Sequence, residues 1–108
     1  MNINSVDCKT LQSWLQNKQA VLIDVREPSE NRVARIKEAT LIPLGEINLS
    51  LLPEFDDKKL VLHCKSGKRS FAACQRLLAQ NPSLEIYNLE GGIEAWIASG
   101  HKIETISN

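Results

Sequence analysis

Short apolar runs rich in β-branched residues alternate along this chain with stretches whose apolar positions recur every three or four residues. Residues 20–25 (Ala-Val-Leu-Ile-Asp-Val), 39–42 and 60–63 have the nearly unbroken apolar character of strands buried on both faces, and 85–89 reads as a fourth. Between them, residues 6–17 place Cys8, Leu11, Trp14 and Leu15 on one helical face, with Ser5 or Asp7 available as the cap. Residues 69–80 do the same with Phe71, Cys74, Leu77 and Leu78 before Asn81-Pro82 closes the segment. After Gly91-Gly92, the residues Ile93, Trp96 and Ile97 predict a last helix, stopped by Gly100. Residues 29–37 read as a short helix and loop, and 44–52, between Pro43 and Pro53, as a short helical stretch.

Strands alternating with helices predict an α/β fold, a mostly parallel sheet flanked by helices on both faces. No repeat or linker interrupts the pattern, and 108 residues, 43% of them hydrophobic, suit one domain over residues 1–108. Ligands of such sheets bind beyond the carboxyl ends of the strands. Two segments fall there: Asp24-Val25-Arg26, and the run from Cys64 to Ser70.

Charge narrows the partners. Thirteen basic residues balance thirteen acidic ones, so neither nucleic acid nor a membrane surface is expected. The first residues lack a basic start followed by an apolar stretch, and no run approaches membrane-spanning length, so the expected location is cytoplasmic. Three cysteines, Cys8, Cys64 and Cys74, match no zinc-binding pair and no Cys-x-x-Cys motif, which suits a reducing compartment. No metal and no cofactor are expected. With no oligomeric signal in the sequence, a monomer is the expectation.

Cys64 follows the strand at 60–63 directly, and a helix must begin within a few residues of it. Strand end, tight loop and helix N-terminus therefore converge on one thiol. Free amides in such a curl point at an anion, and Gly67 permits the curvature. The same field, with Lys65, Lys68 and Arg69 nearby, lowers the pKa of the thiol and favours the thiolate nucleophile. An anion with transferable sulfur, such as thiosulfate, would be drawn in and attacked at its outer sulfur. That leaves a persulfide on Cys64 for a second thiophile to discharge in a ping-pong reaction.

The segment Cys64-Lys65-Ser66-Gly67-Lys68-Arg69-Ser70 resembles the active-site loop of rhodaneses, whose pattern is Cys-x-x-Gly-x-Arg-Ser. The resemblance spans nearly the whole chain: Asp24-Val25-Arg26-Glu27-Pro28, Ile42-Pro43-Leu44 and Leu89-Glu90-Gly91-Gly92-Ile93-Glu94-Ala95-Trp96 are each similar to family motifs, in order. It implies a rhodanese-like five-stranded sheet, with an additional first strand at residues 3–6. It further implies that Cys64 carries the sulfur and that the loop amides of Lys65, Ser66, Gly67, Lys68, Arg69 and Ser70 form its cradle. Asp24 and Arg26 would support the rim. A single-domain thiosulfate sulfurtransferase follows, moving sulfane sulfur to cyanide or thiols, with a small sulfur-containing anion as donor and a thiol or protein sulfur acceptor. The match fails at Ala34-Arg35-Ile36-Lys37-Glu38-Ala39, where the family commonly reads Gly-His-Ile-x-Gly-Ala, which suggests a variant connection before the next strand.

Two alternatives stay open: a non-enzymatic rhodanese-like module that binds a partner, and a phosphatase on the same fold. The phosphatases separate cysteine and arginine by five residues, whereas four separate Cys64 from Arg69. A nucleotide phosphate loop would need glycine at Leu62 and Ser or Thr at Arg69. His63 lies beside Cys64, but neighbouring strand side chains point to opposite faces, so its reading is structural. Cys74 and Cys8 read as small core residues, Trp14 and Trp96 as core aromatics.

Overall fold

The computed structural model describes residues 2–106. In chain order the elements are β1 (Ile3–Val6), α1 (Cys8–Gln16), β2 (Ala20–Asp24), α2 (Pro28–Val33), β3 (Ala34–Arg35), β4 (Ala39–Leu41), β5 (Lys59–His63), α3 (Lys68–Gln80), β6 (Ile86–Leu89), α4 (Gly92–Ala98) and β7 (Glu104–Thr105). Five strands form a wholly parallel sheet in the order β1-β6-β5-β2-β4. The strand expected at residues 3–6 is present as its edge, paired with β6 from Ile3 opposite Ile86 to Val6 opposite Leu89. Among the described residues, no helix is long and apolar enough to cross a membrane.

Alternation along β5 divides the core. Leu60 and Leu62 join Ile23, Ala73, Cys74, Leu77 and Leu78 on the α3 face. Val61 turns the other way, to Leu11, Leu22, Ile93 and Trp96 under α1 and α4. Each fully buried Leu or Ile contributes about 1.5–3 kcal/mol. Helices therefore cover both faces because the central strands have no polar face to offer water.

Helix ends follow local chemistry. Asp7 caps α1 by accepting the Thr10 amide at 2.7 Å. Gly100, at φ 82°, follows the last turn of α4 and donates to the Ile97 carbonyl at 2.9 Å.

Several expectations need correction. Residues 39–42 do not form a strand buried on both faces: β4 is the sheet edge, paired only with β2, and Thr40 is exposed. Residues 44–52 fold as two 3-10 turns, Leu44–Glu46 and Leu49–Leu51. Phe71 and Ile97 were expected on apolar helix faces, but each is 46% exposed. Ser70 and Ala73 turn inward on α3 where Phe71 turns out. The variant stretch at 34–39 holds a small strand, β3, paired antiparallel with β7, with Arg35 bonded to Glu104 at 3.2 Å and Ile36 fully buried. Residues 104–105 gave no strand signal because both are exposed and lack an apolar partner pattern.

Candidate active site

β5 ends at His63, and the chain curls through residues 64–67 into α3. Gly67 is the N-cap of that helix at φ 113°, a backbone conformation L side chains rarely adopt. This lets its amide turn back onto Cys64, donating to Sγ at 3.1 Å. The Ser70 hydroxyl lies 3.3 Å from the same sulfur, and the Ser66 and Ser70 amides also act on it. Cys64 is only 1% exposed, so these donors replace water around the sulfur. Burial pushes the thiol up, but hydrogen bonds from the Ser70 side chain and from the Ser70, Gly67 and Ser66 amides outweigh it and hold the thiol below its ordinary value.

The basic side chains do less at the sulfur than their spacing suggests. Arg69 makes a bidentate pair with Glu30 of α2, Nη1 to Oε1 at 2.7 Å and Nη2 to Oε2 at 2.9 Å. Lys65 and Lys68 are exposed, with Lys65 Nζ 4.0 Å from Glu94. Hydrogen bonds, rather than these cations, are the leading influences that lower the thiol.

Asp24 and Arg26 lie at the end of β2 as a buried pair. Arg26 Nε and Nη2 reach the two carboxylate oxygens at 3.0 and 2.8 Å, and Nη2 also donates to the Ala34 carbonyl at 2.7 Å. Burial pushes the Asp24 carboxyl up, yet the bonds from Arg26 and Asn31 bring it below its ordinary value. The pair braces the rim from which α2 and Glu30 project. His63, register partner of Asp24, is fully buried, and its Nδ1 lies 3.1 Å from the Cys64 carbonyl. A carbonyl only accepts, so Nδ1 carries the proton. Nε2 faces Asp24 at 3.9 Å without a hydrogen-bond partner among the described residues. Burial, against the pull of Asp24, lowers the ring's pKa, so His63 is neutral and the two do not form an ion pair. It orients the backbone of Cys64 and not the sulfur.

Four residues were not singled out from sequence as part of this site: Gly92, Ile93, Asn88 and Glu30. The amides of Ile93 and Glu94 donate to the carbonyls of Cys64 and Lys65 at 2.9 and 3.1 Å, so α4 holds the loop from behind. A Cβ on Gly92 would overlap the Lys65 carbonyl and lie 2.6 Å from that of Cys64. The glycine doublet is the signal: one glycine makes the turn, and the second allows this close approach. Asn88 donates to the Gly67 carbonyl at 3.0 Å from the end of β6. Beside the loop, a groove of about 400 Å³ opens between α2 and α4, lined among others by Val33, Lys65, Ile93 and Ile97. Cys8 and Cys74 are buried free thiols; Cys74 shares the core cluster of Cys64, and burial, with the charge of Cys64, pushes it up to about 12.

The sequence profile of the rhodanese-like domain matches residues 7–99. The chain is 42% identical over 93 residues to an uncharacterized protein of Synechocystis, covering 85% of this chain and 51% of that protein, about half its length. It is 34% identical over 100 residues to the thiosulfate sulfurtransferase GlpE of Vibrio cholerae, covering 92% of each. The crystal structure of a rhodanese-related protein from Thermoplasma volcanium superposes with a TM-score of 0.80 at 33% identity, covering 94% of this chain and 97% of the other. A parallel five-stranded sheet, a cysteine cradled at the mouth of its central strand, and these relationships lead to one conclusion: this chain belongs to the rhodanese-like domain family.

Proposed function

We propose that this protein is a sulfurtransferase in which Cys64 attacks the outer sulfur of thiosulfate or a persulfide donor. The new S–S bond forms as the donor's sulfur bond breaks, and sulfite or a thiolate leaves with that bonding pair. A thiophile such as cyanide or a thiol then takes the outer sulfur and returns Cys64 to the thiolate. The observation that carries this reading is the convergence of the Gly67 amide, at 3.1 Å, and the Ser70 hydroxyl, at 3.3 Å, on one buried sulfur. The Gly67 amide, fixed before the reaction begins, stabilises negative charge on the attacking and departing sulfur without reorganisation.

The remaining site residues act around that centre. Lys65 and Lys68 attract the anionic donor, Arg69 holds the loop through Glu30, and Asp24 with Arg26 braces the rim. The exposed Val33 and Ile97 beside the loop, 69% and 46% exposed, give a thiol acceptor of partly apolar body, small molecule or protein, a surface to rest on. Three free thiols suit action in a reducing, cytoplasmic setting.

Steady-state thiocyanate formation from thiosulfate and cyanide tests the reading. Parallel double-reciprocal lines for wild type and no turnover for Cys64→Ser are expected. Equal turnover in the two proteins would refute it.

A further inference from the structure

The Ser70 hydroxyl has one hydrogen and three acceptors within reach: Asn88 Oδ1 at 2.5 Å, the Gly67 carbonyl at 3.2 Å and Cys64 Sγ at 3.3 Å. The Gly67 carbonyl already accepts from Asn88 Nδ2 at 3.0 Å and from the Phe71 amide at 3.1 Å, which fills both lone pairs. The Nδ2 bond also fixes the carboxamide, because the flipped side chain would set its oxygen against that carbonyl. The Ser70 hydrogen therefore goes to Asn88 or to the sulfur.

In the thiol state the bonds close a ring. Cys64 S–H donates to Ser70 Oγ, Ser70 O–H to Asn88 Oδ1, Asn88 N–H to the Gly67 carbonyl, and Gly67 N–H to Sγ. When the thiol releases its proton to solvent, the sulfur only accepts. The Ser70 hydroxyl then turns to it, and Asn88 Oδ1 loses that donor. Resting on the reading of Cys64 as the sulfur carrier, we propose that Asn88 is a positioning residue: its Oδ1 competes with the Cys64 sulfur for the single Ser70 hydrogen and thereby sets how readily the sulfur ionises.

The other titratable and charged groups around Cys64 are Lys65, Lys68 and Arg69 on its loop and helix start, Cys74 on α3, His63 on β5, Asp24 with Arg26 from β2, Glu30 from α2 through Arg69, and Glu94 from α4 through Lys65. None of these side chains changes in the variants below, so the carboxamide and hydroxyl are isolated.

The test is the pH midpoint of iodoacetamide alkylation, followed on the peptide containing Cys64, in wild type, Asn88→Leu, Ser70→Ala and the double variant. Asn88→Leu should lower the midpoint by about 0.5 to 1 pH unit, because Ser70 then serves the sulfur alone. Ser70→Ala should raise it, and adding Asn88→Leu should change nothing further. A residue that merely braced the loop would have the opposite effect: losing its bond to Gly67 would loosen the amides and raise the midpoint in both backgrounds. That result, or no change in the single variant, overturns the proposal. A second readout leaves Asn88 in place. The side-chain amide nitrogen resonance of Asn88 should titrate with Cys64 in wild type and cease to do so in Ser70→Ala, and a resonance blind to Cys64 would equally overturn it. Failure of sulfur loading with this coupling intact would sink only the sulfur-carrier reading.

Discussion

Arg69 and Glu30 face each other as a fork on a fork, with both guanidinium nitrogens within 2.9 Å of a carboxylate oxygen. The contact joins α2 to the start of α3 across 39 residues of chain. The Arg69 guanidinium holds the Glu30 carboxyl down at about 2, against an ordinary value of 4.5. Because the folded-state pKa is the lower one, the stabilisation is complete above 4.5 and is lost as pH falls through about 2. The pair is about one-third exposed, so Glu30→Gln should cost only about 1 kcal/mol near neutrality. Urea unfolding of the two proteins should show that gap at neutral pH and a narrowing gap as pH drops below 4.5. A constant gap would mean that the carboxylate charge is not what matters.

Gly92→Ala should be more damaging than Gly67→Ala, although both positions have positive φ. At Gly67 a Cβ would meet its nearest neighbour at an ordinary 3.8 Å, leaving only backbone strain of about 1–2 kcal/mol. At Gly92 the Cβ would run into the backbone of Cys64 and Lys65, which cannot rotate away as a side chain can. The expected outcome is a larger fall in melting temperature together with loss of Cys64 reactivity. Thermal unfolding and alkylation rates of both variants decide between them.

His63 should make the fold acid-sensitive once pH falls below the ordinary imidazole value. Burial lowers the ring's pKa from 6.5, so protonation is disfavoured in the folded state. Its contribution is present above 6.5 and is lost as pH falls through the lower folded value. Wild-type stability should therefore decline as pH drops below 6.5. In His63→Asn, which can still donate to the Cys64 carbonyl, that decline should flatten. An equal slope in both proteins would assign the acid sensitivity elsewhere.

The three cysteines should separate cleanly by reactivity. Burial raises Cys8 and pushes Cys74 up to about 12, whereas Cys64 is held below its ordinary value. Limiting iodoacetamide at neutral pH should label the Cys64 peptide first, and Cys74 only after denaturation. Peptide mapping would show any other order.

Much of this was legible because burial on two faces leaves a plain trace in sequence. β2 and β5 announced themselves as nearly unbroken apolar runs, and the loop after β5 followed from a thiol and glycine placed between strand and helix. Edge strands left less trace: β1 reads Ile-Asn-Ser-Val, half of it facing water, and only resemblance located it. Phe71 and Ile97 fit the helical period but lie at the margins of their faces, where one residue's rotation means exposure. Within the site, Cys64 and its amides were readable because they are contiguous. Glu30, Asn88 and Gly92 were not, since each reaches the loop from another element, and no local pattern records which carbonyl or guanidinium they will meet.

The most direct measurement is the mass of the Cys64 peptide after the protein is incubated with thiosulfate or a persulfide donor. A gain of one sulfur atom, removed by cyanide or a thiol and absent in Cys64→Ser, is the predicted result. An unmodified peptide, or sulfur found instead on Cys8 or Cys74, would contradict it.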